Sequence, residues 1–116
     1  MNNMNSIIIE GAVTEKPELK IIVGNDSFCC ISICCKQCFK NASGEIEEHL
    51  NYFDVYTYGE LAEKSAKKAE KDCVIRIVGK LWQSRWVDCN GKKNSRIVVL
   101  AEAIDFLSYA NGLRKK

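Results

Sequence analysis

A single change of period constrains this 116-residue chain more than any other feature of it. Its apolar residues mostly recur at every second position, the repeat of a strand, except across residues 59–71. There Leu61, Ala62, Ser65, Ala66 and Ala69 fall on one helical stripe, with Glu60/Lys64 and Glu63/Lys67 paired in the favourable i,i+4 order. The spacing predicts one helix, its lysines on the solvated side.

Ahead of the helix, residues 5–13 read as a strand in which Gly11 suggests a bend or bulge. Lys16-Pro17-Glu18 breaks it, and residues 19–23 form a short extended segment closed by the Gly24-Asn25-Asp26 turn. A long strand over residues 28–39 sets Cys29, Ile31 and Ile33 on one face and Phe28, Cys30, Ser32, Cys34 and Lys36 on the other. Residues 41–50, polar and acidic, read as a hairpin loop. Residues 51–58 return as a strand, with Tyr52, Asp54, Tyr56 and Tyr58 on one side and Phe53, Val55 and Thr57 on the other. After the helix, residues 73–87 and 95–107 are strands joined at Asn90-Gly91, a dipeptide suited to a tight turn with both central residues at positive φ.

Three strands, one interposed helix and two further strands give an all-β fold with one helix: the five-stranded OB-fold, a Greek-key barrel. The length suits one domain, taken as residues 1–110, with a short basic tail at 111–116. That architecture does not assign a function.

The residues with most to say about function lie between Gly79 and Arg96. Lys80, Trp82, Ser84 and Trp86 share a strand face with Arg85 beside them, and Lys92, Lys93 and Arg96 follow the turn. Residues 72–98 hold six Lys/Arg against two Asp, although the whole chain carries only +2. Indole faces beside clustered cations suit an unpaired nucleic-acid strand, whose bases stack and whose phosphates need positive charge. The alternative is that the tryptophans are core and the cations a solvated tip. The three tyrosines at 52, 56 and 58 are equally open, as a platform or as a packed sheet interface.

Five of the seven cysteines (Cys29, Cys30, Cys34, Cys35 and Cys38) fall within ten residues. Cys35-Lys36-Gln37-Cys38 has the bare C-x-x-C spacing, but a structural zinc needs four ligands, and Cys73, Cys89 and His49 stand apart. Redox pairs of this kind open a helix, whereas this one continues a strand. Small buried hydrophobes are therefore expected, with no metal and no other cofactor. No nucleophile–base pairing, paired acids or phosphate-cradling glycine loop stands out, so no catalysis is expected.

Over most of its length the chain resembles the bacterial single-stranded DNA-binding proteins. The resemblance rests on Asn5-Ser-Ile-Ile-Ile-Glu-Gly11 with Lys16-Pro-Glu-Leu-Lys20, on Phe53-Asp-Val-Tyr-Thr-Tyr-Gly-Glu-Leu-Ala-Glu63, and on Ile77-Val-Gly-Lys-Leu81 with Arg85-Trp86 before a glycine hairpin. It implies base stacking by Phe39, Tyr52, Tyr58 and Trp86 and phosphate contacts by Arg85 and Lys71. Strand alternation adds Trp82 and Lys80, and the hairpin adds Lys92, Lys93 and Arg96. The resemblance further implies single-stranded DNA as partner and a homo-oligomer, tetramer or dimer, acting in DNA replication, recombination or repair. Asp54 stands where some relatives carry arginine, and Arg76 on a strand that relatives use for subunit packing. The chain ends on Leu113-Arg-Lys-Lys116 without the linker and acidic tip usual in the family, so recruitment of replication enzymes through such a tip is not expected.

With no apolar run long enough to cross a membrane and no export signal, a cytoplasmic, nucleoid-associated protein is expected. Three other readings stay open: a primosome-type dimeric OB-fold protein, a zinc or redox protein built on the cysteines, and a protein-interaction module without nucleic acid.

Overall fold

The computed structural model of the chain describes residues 2–109, the side chains of 108 and 109 excepted. The elements are β1 (Ile7–Val13), β2 (Leu19–Ile21), β3 (Ser27–Lys40), β4 (Ile46–Tyr58), α1 (Gly59–Lys68), β5 (Cys73–Val87) and β6 (Lys93–Tyr109). They form one sheet in the order β1-β5-β6-β4-β3-β2. β1 also pairs with β3 through Ala12↔Cys34 and Val13↔Ile33, and this closes a five-stranded barrel. β4 and β6 run parallel, joined at Val55↔Val99 and Tyr56↔Leu100, while the other pairings are antiparallel. This is the OB-fold expected; β2 is a short flap on β3, with Lys20 opposite Phe28.

Alternation decides what lies inside. Cys29, Ile31 and Ile33 of β3, Val55 and Thr57 of β4, Ile75 and Ile77 of β5 and Val99 of β6 are all buried. The Thr57 hydroxyl donates to the Cys29 carbonyl at 2.7 Å, which satisfies it without water. α1 closes one end of the barrel with Ala62 and Ser65, followed by buried Ala69. Lys16 Nζ donates to the carbonyls of Lys67 and Ala69 at 3.2 and 2.9 Å. The Lys-Pro-Glu break thus sets a cation against the negative end of the helix dipole.

Two glycines let strands cross closely. A β-carbon on Gly11 would lie 2.8 Å from the Cys34 carbonyl oxygen where β1 meets β3. One on Gly79 would fall onto the Leu100 carbonyl, beside the register shift between Val78 and Gly79. The predicted irregularity at Gly11 is therefore a close approach, and the register shifts lie between β5 and β6, at Val78/Gly79 and at Val74/Ile75.

Three expectations need correcting. Residues 46–50 are strand, not loop, because β3 and β4 continue past the barrel as a two-stranded arm pairing through Lys40↔Ile46. The helix stops at Lys68, before Lys71. Only Cys29 and Cys73 are buried, and all seven are free thiols: Cys30 and Cys34 are half-buried and Cys38 exposed because even-numbered positions of β3 face outward, Cys35 is half-buried where β3 leaves the barrel, and Cys89 is exposed in the β5–β6 tip.

β5 and β6 form a second arm. Since β4 and β6 are parallel, both tips project from the same end of the barrel. The radius of gyration, 16.3 Å, reflects these projections, a compact chain near this length having about 13 Å. No described helix is long and apolar enough to cross a membrane.

Gly79→Ala should force β5 off β6 and cost ~1–3 kcal/mol, as overpacking does, with Gly11→Ala costing less. Urea unfolding checks this; an unchanged midpoint for Gly79→Ala would contradict the close approach.

Candidate nucleic-acid interface

Residues directly opposite in paired strands share a face, so the register builds the site. On the outer side of β3 and β4, Phe28 faces Tyr58, Cys30 faces Tyr56, Ser32 faces Asp54 and Cys34 faces Tyr52. The parallel contact carries that face onto β6 through Tyr56↔Leu100, and Leu100↔Lys80, Trp82↔Val98, Ser84↔Arg96 and Trp86↔Asn94 carry it onto β5. Tyr52, Tyr58, Trp82, Trp86, Lys80 and Arg96 therefore occupy one continuous surface. Their rings are 64%, 45%, 49% and 45% exposed, in the order given, so the tryptophans are not core and the tyrosines are not covered within this chain.

The charges on this face are already engaged. Asp54, the acid on the aromatic surface, is ion-paired with Arg96 across β4 and β6. Lys80 Nζ lies 3.8 Å from Glu102 Oε2 and 5.9 Å from the centroid of Trp82. Both phenols at the edges stay neutral at ordinary pH. The Cys34 thiol, through its charge and a hydrogen bond, raises the pKa of Tyr52, whereas burial, then Tyr56 and Cys30, raises that of Tyr58.

The remaining predicted residues lie elsewhere. Phe39 is half-exposed and sits on the opposite face of the β3–β4 arm from Tyr52, its ring 5.3 Å from that of His49. Arg85 and Lys93 project from the opposite face of the second arm, Arg85 donating to Gln83 Oε1 at 2.6 Å. Together with Trp86, Val87, Asn94 and Ser95 they line an open hollow of about 510 Å³. Lys92 lies in the tip. Lys71 lies in the turn between α1 and β5, at the end of β5 far from Trp86.

Sequence reading missed Phe28 and Tyr56 as site residues. Phe28 packs edge-on to Tyr56 and tilted against Tyr58, each at 5.1 Å between centroids, so three rings cluster at the α1 end. Lys16 and Lys20 were missed too; with Phe28, Cys30, Ser32 and Asp54, among others, they line a hollow of about 340 Å³. The clue was available in part: Phe28 stood on the tyrosine side of the alternation, but only the register puts it against Tyr58.

Both arm tips share one design. At the first, Asn41 Oδ1 accepts from the amides of Ser43 and Glu45 at 2.9 and 3.0 Å, with Gly44 at φ 82°. At the second, Asp88 Oδ1 accepts from the amides of Asn90 and Lys92, both at 2.9 Å, with Gly91 at φ 78°. Asn90 does not take positive φ, so the expected two-residue Asn-Gly turn is instead a longer one closed by a glycine bulge. The carboxylate of Asp88 thus orders the segment bearing Lys92 and Lys93, and Asn94 adds a bond to its second oxygen at 3.1 Å. Among the described residues no group of three or more His, Cys, Asp or Glu is placed to hold a metal ion.

Known proteins with the same pattern settle the family. The profile of the Single-strand binding protein family matches residues 4–107. The chain belongs to that family. A single-stranded DNA-binding protein of Aquifex aeolicus is 28% identical over 109 residues, 94% of this chain and 74% of that protein. The crystal structure of a deletion mutant of the Thermus aquaticus single-stranded DNA-binding protein matches with TM-score 0.80 and 28% identity. It covers 90% of this chain, which spans about half (51%) of that longer one. A Plasmodium falciparum member in complex with single-stranded DNA shares the fold at TM-score 0.82 and 18% identity, covering 93% of this chain and 98% of that one.

Backbone and side-chain hydrogen bonds at the second tip hold the Asp88 pKa below its ordinary value of 3.8. A depressed folded-state pKa means that the carboxylate's hold on the tip is complete above about pH 4 and lost as pH falls through the lowered value. Asn90 and Lys92 amide resonances should therefore titrate with a midpoint below 3.8. A midpoint at or above it would rule out the cap.

Proposed function

We propose that this protein binds single-stranded DNA with little sequence preference and protects it during replication, recombination or repair. The observation that carries the proposal is the row of half-exposed rings, Tyr58, Tyr52, Trp82 and Trp86, on one outer face of a barrel of this family. Every base has a π-face, so stacking at ~1–3 kcal/mol per base is tolerant of sequence. Lys20 and Lys92 at the margins, and Lys80 on the face itself, meet phosphates and release counterions, while Arg96 is held by Asp54. The protein has no catalytic step in this role.

Phe39 on the back of the first arm, and Arg85 with Lys93 on the back of the second, allow a strand to pass around the arms. Lys71 lies outside the aromatic face and would contact only a strand that continues beyond it. A homo-oligomer, tetramer or dimer, is part of the proposal. Exposed Ile8 lies opposite Val78 on the outer side of β1 and β5, and Arg76 there is met within the chain by Glu10, at 2.9 Å from Nε and 2.7 Å from Nη2. Its charge therefore does not oppose packing of that face. A cytoplasmic, nucleoid-associated location follows from the ligand.

Oligo-dT should quench the tryptophan fluorescence strongly and duplex DNA weakly, with affinity falling as salt rises; equal response to both would end the proposal. Trp86→Ala should weaken binding by ~1–3 kcal/mol. Asp54→Asn frees Arg96 for phosphate, so affinity at low salt should rise and the salt slope steepen by about 0.7, the contribution of one more contact to a single strand. An unchanged slope would show that the ion pair does not withhold Arg96 from DNA.

A further inference from the structure

The hollow of about 340 Å³ beside the aromatic face has walls that are fixed before any ligand arrives. On one side runs the Lys-Pro-Glu segment. Thr14 donates twice to the Ser32 carbonyl, from its amide at 2.9 Å and its hydroxyl at 3.2 Å, and so pins the start of that segment to β3. Pro17 is buried, and Lys16 is tied to the carbonyls that end α1. On the other side Phe28, Ser32 and Asp54 stand on the outward face of β3 and β4, with Ser32 directly opposite Asp54. The volume lies at the small end of the range for ligand pockets, about 300–1,000 Å³, and suits one base rather than a length of strand.

Charge decides which part of a nucleotide can enter. Glu15, Glu18 and Asp54 line the hollow against the ammonium groups of Lys16 and Lys20, and Lys16 is already committed to the helix. A phosphate is repelled there, whereas an N–H donor is attracted. Glu15 and Glu18 are exposed, but the Asp54 side chain is only 26% exposed and stands between Tyr52 and Tyr56 on the outward side of β4. Arg96 takes one of its oxygens, and the carboxylate has a second to offer.

We propose that this hollow is a base-reading subsite for an amino-bearing base, cytosine or adenine, held by Asp54 and Ser32. The proposal deepens the single-strand reading above and rests on it. Across the register pair an obligatory acceptor, the Asp54 carboxylate, faces a hydroxyl that can donate. Cytosine and adenine present the matching pair, an exocyclic amine beside a ring nitrogen that accepts. Thymine and uracil present the reverse, a carbonyl oxygen beside a ring N–H, and the carboxylate opposes that oxygen. The Phe28 ring gives the base an apolar wall, and Lys20, opposite Phe28 on β2, meets the phosphate of the same nucleotide. Stacking on Tyr52, Trp82 and Trp86 stays tolerant of sequence, so the preference is confined to one nucleotide among several.

The test uses oligo-dC and oligo-dU of equal length, which differ only along the base edge in question, and measures the ratio of their affinities at neutral pH. Asp54→Ala frees Arg96 and Glu102→Ala frees Lys80, so each variant should raise both affinities. Only Asp54→Ala should change the ratio, lowering the preference for oligo-dC about tenfold, the worth of one hydrogen bond to a charged group. An unchanged ratio in Asp54→Ala, or an equal fall in Glu102→Ala, overturns the proposal. A second measurement needs no variant: deoxycytidine should shift the amide resonances of Ser32 and Asp54 and the ring protons of Phe28, and deoxyuridine should leave them in place. Equal shifts from the two nucleosides, or none from either, overturn the proposal as well. Failure of the wild type to bind either oligonucleotide would instead defeat the functional reading, and the nucleoside titration would still decide whether the hollow selects the amine.

Discussion

Two residue pairs, Val55↔Val99 and Tyr56↔Leu100, hold the aromatic surface together. They are the parallel contact between β4 and β6, and without them the tyrosine-bearing and tryptophan-bearing hairpins would be joined only through β1, on the other side of the barrel. The contact is short but anchored on both sides. Inward, Val55 and Val99 lie in the core; outward, Asp54 and Arg96 form an ion pair across the same two strands. Gly79 contributes from the next strand, since only a residue without a β-carbon lets β5 close onto the Leu100 carbonyl and stay in register with β6.

The same strands serve two purposes because a strand has two faces. Odd positions of β3 and β5 fill the barrel, and even positions display Phe28, Cys34, Lys80, Trp82 and Trp86. Displaying large rings to water forgoes burial, roughly 25 cal/mol for each Å² of apolar surface left out. That is a poor arrangement for stability alone and a sensible one for the stacking role proposed for this surface. Beyond the barrel neither arm has a core to rest on. Their tips are held instead by Asn41 and Asp88, whose side-chain oxygens replace missing backbone partners.

Alternation was legible wherever one face is buried, which is why the barrel strands and the helix could be read from residues alone. It failed at residues 46–50, where both faces of the arm meet water and nothing imposes a period. The second tip was mistyped because Asn90-Gly91 carries the signal of a two-residue turn, while the side chain of Asp88 stabilises a longer one. The cysteines were misjudged as a group, since a buried position and an outward one differ by a single step along β3. Phe28, Tyr56 and Lys20 depended on register, and the partner of Asp54 lay far along the chain. Local pattern specifies elements; which rings and charges meet is decided by pairing between distant segments.

That pairing also ranks the forces available to the face. Arg96 and Lys80 each already oppose a carboxylate, Asp54 and Glu102, and Lys16 is spent on the carbonyls that end α1. A phosphate arriving at Arg96 therefore exchanges one anion for another, and the gain is the difference between the two. Lys20 and the tip lysines have no such partner among the described residues, but they stand at the margins. The Lys80–Glu102 pair is largely exposed, and such pairs contribute only about 0–1 kcal/mol, so a phosphate can displace it without great cost. The centre of the surface is left with rings as its main source of affinity. Its salt dependence should accordingly be shallower than a count of its lysines and arginines suggests, with stacking supplying the part that salt does not remove.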